Sequence, residues 1–185
     1  MLVTNFQIHK DLPFGEYQKL PGNSFSSIKH DGREFETTSK MILGTQVHQY
    51  LLEPHKFTGD IRIVKPMATA LIRCLGALWQ YLDYEISVTC NFEHEGFVFP
   101  YRGRIDAGIR RKIIIDFKIG ENVRKSMEHF DYPTQLSGYA IAYEAPLALI
   151  IAMNPKKLQL PPDIIPVHIS DEFWKNQILL KGEVV

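Results

Sequence analysis

The segment Lys112–Ile119, which reads Lys-Ile-Ile-Ile-Asp-Phe-Lys-Ile, constrains the fold of this chain more than any other segment. A segment rich in isoleucine that follows the turn signal Arg110-Arg111 is typical of a β-strand. Strand periodicity places Asp116 and Lys118 on one face of that strand and Phe117 on the other. Because a carboxylate among isoleucines is unfavourable without a cation nearby, the segment predicts a central strand whose polar face has a chemical role.

A second aspartate lies on the preceding predicted strand, Phe97–Ile109. If the two strands form a hairpin, residues whose numbers sum to about 221 face one another, which brings Asp106 next to Asp116. Carboxylate oxygens are the ligands that Mg²⁺ and Mn²⁺ prefer, and a lysine beside them can position or activate water. The two aspartates together with Lys118 therefore predict metal-dependent cleavage of a phosphodiester bond.

The remaining hydrophobic patterns predict an α/β sandwich around a mixed sheet, in which an antiparallel meander is followed by a crossover. We expect one domain over residues 1–185, with an irregular N-terminal segment at 1–38 and a C-terminal extension at 155–185 that is irregular as far as residue 168. The predicted elements are helices over Ser39–Leu52 (with Ser39 as N-cap) and Met67–Leu82, strands over Tyr84–Phe92, Phe97–Ile109 and Lys112–Ile119, a turn over Glu93–Gly96, a helix from Asp131 to about Glu144, a strand over Leu147–Met153, and a helix from Asp171 to about Lys181 that Ser170 caps.

The charge distribution indicates where a polyanion would bind. The formal net charge is zero, which argues against non-specific coating of nucleic acid through bulk charge. Residues 101–125, however, hold eight basic side chains and three acidic ones, which suits a phosphate backbone. For Arg104, which shares a strand face with Asp106, pairing with a carboxylate is the alternative. The predicted phosphate contacts are Arg102, Arg104, Arg124 and Lys125.

Cysteine content and hydropathy exclude several classes of protein. Cys74 and Cys90 are too few for a disulfide scaffold or for a cysteine-ligated iron–sulfur cluster, and we expect buried reduced thiols. No apolar run reaches the ~18 residues of a membrane span, and the segment Met1–Phe6 lacks the pattern of a secretory signal. The sequence therefore predicts a cytoplasmic protein that has no iron–sulfur cluster and no membrane partner.

Four short motifs occur in a defined order on these predicted elements. They are Gly44-Thr45-Gln46-Val47-His48, Gly103-Arg104-Ile105-Asp106, Asp116-Phe117-Lys118 and Gln135-Leu136-Ser137-Gly138-Tyr139. In this order the chain resembles the PD-(D/E)XK nuclease superfamily, which is built on a restriction-endonuclease-like αβββαβ core, and in particular its RecB-like and RecE-like branches. The segment from Gly44 to Phe57 looks most like phage RecE-type exonucleases. The resemblance covers roughly Phe25 to Met153, and Ile119 stands where these relatives usually carry threonine.

The resemblance implies a set of site residues. It implies that one or two Mg²⁺ or Mn²⁺ ions are held by His48, Asp106, Asp116 and the Phe117 carbonyl, with Glu85 as a further acidic group. Lys118 would hold or deprotonate the attacking water, and Gln135 and Tyr139 would contact the scissile strand or that water. For each of these residues a purely structural role is the alternative, such as a salt bridge for Lys118 or a solvated strand face for Glu85.

The resemblance also implies a function. The favoured activity is that of an end-resecting exonuclease of RecE type, which acts in recombination or repair and is found in phages. Its partners would be DNA, further copies of the chain, or a single-strand-annealing recombination protein. The alternative is a catalytically degenerate member of the same fold that binds DNA or serves as a subunit. Cleavage polarity, strand preference, and exonuclease versus endonuclease action stay open at this stage.

Overall fold

A mixed sheet lies at the centre of the computed structural model, which describes residues 1–30 and 38–184. In spatial order the strands are β1 (Leu2–His9), β2 (Asp83–His94), β3 (Phe97–Ile109), β4 (Ile113–Ile119), β5 (Leu147–Met153) and β6 (Asp163–Val167), and the short β7 (Glu183–Val184) pairs with β3. All neighbouring strands are antiparallel except β4 and β5, which run parallel. A parallel pair needs a long crossover connection, and helices supply it here.

Helices cover both faces of this sheet. They are α1 (Phe14–Tyr17), α2 (Phe25–His30), α3 (Ser39–Leu52), α4 (Ile61–Leu75), α5 (Val123–Phe130), α6 (Tyr132–Ala142) and α7 (Glu172–Lys181). Helices α3 and α4 bury Val47 and Leu71 against the face of β4 that presents Phe117, and we call this the α3–α4 cluster. Helices α6 and α7 bury Leu136 and Trp174 against the opposite face, which we call the α6–α7 cluster.

The predicted fold class is confirmed. Helix α3, the meander β2–β3–β4, helix α6 and strand β5 follow one another in the αβββαβ order, with α4 and α5 inserted between them. Strands β3 and β5 have the bounds that their apolar patterns predict, and β4 begins one residue later than predicted, at Ile113. The predicted turn over Glu93–Gly96 is shorter, because His94 still pairs with Phe97. Glu95 and Gly96 both have positive φ, as a two-residue hairpin turn requires.

The two helices before the meander differ from their predicted bounds. Thr38, and not Ser39, caps α3, since its side chain accepts a hydrogen bond from the Met41 backbone N–H. The helix predicted over Met67–Leu82 begins earlier, at Ile61, and its α-helical part ends at Leu75, before a 3₁₀ turn that reaches Tyr81. Pro66 lies inside α4, where burial of the apolar face of the helix outweighs the loss of the hydrogen bond that this proline removes.

Both terminal segments contain regular structure that the sequence did not predict. Residues 2–9 form the edge strand β1, whose pairing with β2 shifts register between Thr4 and Gln7, and this bulge hides the alternation in the sequence. The segment 155–168, predicted to be irregular, contains the edge strand β6, where Pro166 is tolerated because only one side of an edge strand is paired. Residues 31–37 of the predicted irregular N-terminal segment lie outside the described residues.

Two smaller expectations concern the cysteines and the membrane. Both cysteines are free; Cys90 is buried and Cys74 is half-buried. Among the described residues, no helix combines the length and the apolar character needed to cross a bilayer.

The contact between α6 and α7 generates a prediction about stability. A Cβ added at Gly138 on α6 would lie 2.4 Å from a ring carbon of the buried Trp174. We expect Gly138→Ala to lower the free energy of unfolding by about 1–3 kcal/mol, because the indole ring must move in a close-packed core. Urea unfolding followed by circular dichroism measures this change.

A glycine on α3 provides the matched control. A Cβ at Gly44 meets no atom within 4 Å, and Gly44 lies in the interior of a helix. Gly44→Ala should therefore raise the free energy of unfolding by up to about 1 kcal/mol, which is the helix-propensity difference between the two residues. Equal effects of the two substitutions would contradict the packing described here.

Candidate metal centre

The backbone of Phe117 joins β3 and β4 at the point where their ladder ends. The last pair of that ladder is Ala107 with Ile115, one residue away from the predicted register. Beyond it, the Phe117 N–H donates a hydrogen bond of 2.8 Å to Asp106 Oδ2. The two strands therefore hold Asp106 beside Asp116, as the hairpin predicts, but they do so through a side chain and not through a further ladder pair.

The side-chain alternation of β3 changes phase at Asp106. Ala107 packs in the α3–α4 cluster while Ile105 packs in the α6–α7 cluster, although strict alternation would place both on one face. Glu85, which lies on β2 beside Asp106, has a φ of 48°, a conformation that is unfavourable for a residue with a side chain. Backbone of this kind occurs at turns and bulges and also clusters at functional sites. Here the residue with this backbone is Glu85, and its carboxylate and that of Asp106 line one cleft.

His48 approaches the same point from α3, which Val47 and Leu51 anchor against the sheet. Its Nε2 lies 2.7 Å from the Phe117 carbonyl oxygen, and its Nδ1 lies 3.5 Å from Asp106 Oδ2. A neutral imidazole that donates its Nε2–H to that carbonyl presents the Nδ1 lone pair to the side of Asp106. Ligating histidines are commonly oriented in this way, through a hydrogen bond from the other ring nitrogen. Phe117, expected as a ligand through its carbonyl, is therefore in contact with the imidazole.

His48, Glu85 and Asp106 form a group that could hold a metal ion. Each offers one ligand atom, and these atoms lie within 4.8 Å of one another. Neighbouring ligands of an octahedral Mg²⁺ at ~2.1 Å stand about 3 Å apart, close to the separation of His48 from Asp106. Two carboxylates with one imidazole are a donor set that suits a divalent metal ion. We call these three residues the metal cluster.

Electrostatics at the metal cluster favour a cation. Burial raises the pKa of the Asp106 carboxyl; the nearby His48 opposes this shift and the Asp116 carboxylate adds to it. Burial also raises the pKa of Glu85, with a further contribution from Asp106, while Arg104 lowers it. Carboxylates whose charged forms are disfavoured in this way lack sufficient positive charge around them. A divalent ion would supply it.

Asp116 and Lys118 form a buried ion pair. The Asp116 Oδ2 and Lys118 Nζ atoms are 2.5 Å apart, and the carboxylate side chain is only 5% exposed. Burial alone would lower the pKa of Lys118, but the charges of Asp116 and Asp106 outweigh it and raise that pKa, so the ammonium is charged at neutral pH. The ammonium also lies 4.8 Å from the centre of the Tyr132 ring. Asp116, predicted as a ligand, is thus paired with the predicted catalytic lysine.

Gln135 and Tyr139 lie one turn apart on α6 and contact each other. Gln135 Nε2 donates a hydrogen bond of 2.9 Å to the Tyr139 hydroxyl. Burial holds the pKa of Tyr139 well above its usual value, so its hydroxyl stays protonated. Its ring packs directly over Gly103, where an added Cβ would lie 3.0 Å from a ring carbon. The glycine in the second motif therefore makes room for the tyrosine of the fourth.

The four arginine and lysine residues predicted to bind DNA fall into two places. Arg104 Nε is 2.5 Å from Glu85 Oε2, which is the carboxylate pairing that strand geometry offered as the alternative. Arg102 donates hydrogen bonds to the backbone carbonyls of Gln18 and Leu20. Arg124 and Lys125 lie on α5 and line a separate, smaller cavity. The structure thus brings the two β3 arginines to the metal cluster, but not the α5 pair.

An open cleft of about 990 Å³ runs past the metal cluster. Of the described residues, its lining includes Gln135 and Tyr139 but not Asp116 or Lys118. It also includes residues that sequence reasoning missed, namely Glu53, 3.8 Å from Arg104, and the rings of Phe14 and Tyr17. No sequence signal identified Phe14 and Tyr17, because they reach the site only through the packing of the N-terminal segment against β3. Glu53 reaches it from the C-terminal end of α3.

Comparisons with known proteins give limited information. No protein-family model matches the chain, and no curated protein matches it. Among solved structures, the chain resembles the crystal structure of SSO0001, with 17% identity and a TM-score of 0.41 over 85% of this chain and 83% of that chain. It also resembles a structure from Eubacterium rectale described as a "putative exonuclease", with 16% identity and a TM-score of 0.47 over 89% of this chain and 71% of that chain. At TM-scores below 0.5, neither likeness assigns a family or an activity.

The raised pKa of Asp106 generates a prediction about stability and metal binding. A carboxyl group with a raised pKa binds protons more tightly in the folded state, so its contribution to stability decreases as pH rises above its ordinary value of about 4. We therefore expect metal-free Asp106→Asn to be at least as stable as the wild type at pH 7. We also expect Mn²⁺ to raise the melting temperature of the wild type but not that of Asp106→Asn.

Thermal unfolding with and without Mn²⁺ tests both parts, and the exposed Asp163 provides a matched control. Asp163→Asn removes one carboxylate away from the metal cluster, on the edge strand β6, and should keep the wild-type response to Mn²⁺. A full Mn²⁺ response in Asp106→Asn would show that the ion binds elsewhere.

Proposed function

We propose that this chain is a Mg²⁺- or Mn²⁺-dependent nuclease that hydrolyses DNA. The observation that carries the proposal is the convergence of His48, Glu85 and Asp106 on one point in an open cleft. Next to that point, the backbone of Phe117 connects Asp106 to the strand that carries the Asp116–Lys118 ion pair. Hard oxygen ligands beside a buried lysine are the groups that phosphodiester hydrolysis uses.

The roles of the residues follow from their positions. His48, Glu85 and Asp106 would hold the ion, and Asp116 would join them once its carboxylate is released from Lys118. A divalent ion held there would neutralise phosphate charge and make water more acidic. The raised pKa of Lys118 keeps its ammonium group charged beside Asp116, which favours a role in holding a water molecule or a phosphate oxygen over a role in removing a proton. Gln135 and Tyr139 offer neutral hydrogen-bonding groups to the substrate strand.

The finer assignment rests on the order of the four motifs in the sequence. An end-resecting exonuclease of RecE type that acts in recombination or repair is the version of the proposal that these motifs favour. Arg124 and Lys125 remain candidates for phosphate contacts at a distance from the cleft, and they are exposed on α5. The finer proposal also includes self-association of the chain and binding to a single-strand-annealing recombination protein.

Digestion of labelled DNA tests the proposed activity. The substrates are a linear duplex labelled at the 5′ end, the same duplex labelled at the 3′ end, and a closed circle. We expect the wild type to degrade the linear substrates with Mg²⁺ and to leave all three intact in excess EDTA. Asp116→Asn should lose cleavage, because a metal ligand and the counter-ion of Lys118 are both changed, whereas Asp163→Asn should retain it.

Each result has a distinct meaning. Cleavage of the closed circle, which has no strand end, would show that the activity is that of an endonuclease and not of an exonuclease. Full activity in excess EDTA, or full activity of Asp116→Asn, would contradict the metal-dependent mechanism. Metal-dependent binding of DNA without cleavage of any substrate would favour the alternative of a degenerate, DNA-binding member of the same fold.

Lys118 generates a separate prediction about turnover. Lys118→Ala should reduce the cleavage rate by ~10²-fold or more, the scale expected when a positioned proton-transfer or water-holding group is lost. Mn²⁺ binding, measured by calorimetry, should persist, because Lys118 is not a ligand. The exposed Lys181 on α7 gives the control substitution Lys181→Ala, which should change neither quantity. Wild-type turnover in Lys118→Ala would reduce this lysine to a structural ion-pair partner.

A further inference from the structure

An exposed aromatic ring lies in the wall of the same cleft. Phe14, on the short helix α1, is 58% exposed and is part of the cleft lining together with His48 and Asp106. The buried Tyr17 supports it from within, with the two ring centroids 5.9 Å apart. An isolated exposed phenylalanine needs no explanation, but a ring that shares a cleft with a cluster of possible metal ligands suggests a contact with substrate.

Arg104 links this ring to the metal cluster. Its guanidinium carbon lies 5.8 Å from the centroid of the Phe14 ring, while its Nε contacts Glu85 at 2.5 Å. Its Nη1 also donates a hydrogen bond of 2.8 Å to the backbone carbonyl of Leu12, two residues before Phe14. One guanidinium group therefore fixes the separation between the ring and a candidate metal ligand. The ring is held in place before any ligand binds, which reduces the conformational entropy that binding removes.

Arg102 strengthens the same attachment from the next position along that face of β3. It donates hydrogen bonds to the backbone carbonyls of Gln18 and Leu20, on the other side of α1 from Leu12. Its guanidinium carbon lies 6.0 Å from the centroid of the Tyr17 ring. The N-terminal segment is thus fastened to β3 both before and after Phe14, so the aromatic wall is a built part of the cleft.

We propose that Phe14 stacks on an unpaired base of single-stranded DNA whose backbone passes the metal cluster. This inference rests on the proposed function, because it assigns the strand state of the substrate at that same site. Every base has a π-face that an aromatic side chain can stack on, whatever the sequence. Inside a duplex both faces of a base are covered by its neighbours, so the ring can use only a base at a single-stranded or frayed end. The substrate class at the cleft is therefore single-stranded DNA.

Binding measurements with and without bases test the stacking directly. The probes are a fluorescent oligothymidylate of about 12 nucleotides, within the usual range of single-strand site sizes, an abasic chain of equal length, and a covalently closed circular duplex, which has no ends that fray. Anisotropy is measured in Ca²⁺ so that binding is read without relying on turnover. Phe14→Ala and Phe14→Leu should weaken binding of the oligothymidylate about tenfold, the scale of one lost base–aromatic stack. Phe14→Trp should retain the wild-type affinity.

The abasic chain and the duplex provide the internal comparison. Both should bind the wild type and Phe14→Ala equally, since neither presents a free base face within the strand. Tyr81 is an exposed aromatic residue outside the cleft lining, and Tyr81→Ala should behave as the wild type with every probe. Thermal unfolding of each variant verifies that it is folded.

The outcomes separate this inference from the proposed function. Equal affinity of wild type and Phe14→Ala for the oligothymidylate would overturn the stacking, even if the wild type cleaves DNA. An equal loss for the abasic chain would show that the ring acts on the backbone or on the fold, and an equal loss for the duplex would overturn the preference for single strands. If Phe14→Ala loses affinity only for the chain that carries bases, and the wild type cleaves no DNA, the stacking is supported and the proposed nuclease activity is overturned.

Discussion

The hydrogen bonds of the Phe117 backbone are the interaction on which the candidate site depends. The ladder between β3 and β4 ends at Ala107 and Ile115, so the next backbone groups of β4 that point toward β3 belong to Phe117 and lack strand partners there. Side chains take their place, since Asp106 accepts from the N–H and His48 contacts the carbonyl oxygen. Buried backbone groups need hydrogen-bond partners. Because the ladder ends early, a carboxylate and an imidazole serve as these partners and lie close together at Phe117. The fold and the donor set are therefore two consequences of the same register.

The sequence predicts most of the sheet for a simple physical reason. Strands such as Leu147–Met153 are buried on both faces, so their apolar runs are continuous and their ends are sharp. Edge strands have weaker sequence patterns. The alternation of β1 is interrupted at a bulge, and Pro166 is a residue that is unusual in strands and makes β6 hard to recognise. The sequence also predicts that Asp106 and Asp116 are neighbours. The pairing of Lys118 with Asp116 matches the salt bridge that the sequence offered as the alternative role of this lysine, since both side chains leave the same face of one strand. The sequence could not predict that Glu85 stands in a left-handed conformation, because this depends on contacts that form only after the strands pair.

Charge balance explains why the basic residues near the site have other partners than expected. The cleft contains the carboxylates of Glu53, Glu85 and Asp106 in partly buried positions, where unpaired charge is unfavourable. Arg104 lies between Glu53 and Glu85 and compensates part of this charge, and the raised pKa of Glu85 shows that the compensation is incomplete. A count of basic residues along the sequence therefore overstates the positive charge that is available to a phosphate backbone.

The same arginines explain why the N-terminal segment belongs to the site. Arg102 and Arg104 have planar, multi-donor heads, and each uses one face or edge for a ring and its donors for the backbone carbonyls of Leu12, Gln18 or Leu20. Without that segment Arg102 would lose the carbonyls of Gln18 and Leu20, and Arg104 would lose the carbonyl of Leu12 while keeping its two carboxylate partners. Phe14 and the metal cluster are consequently coupled through β3, by a contact between Leu12 and Arg104 that spans 92 residues of the chain. This coupling lies beyond the reach of motif analysis, because the four motifs begin only at Gly44, after the segment that completes the cleft.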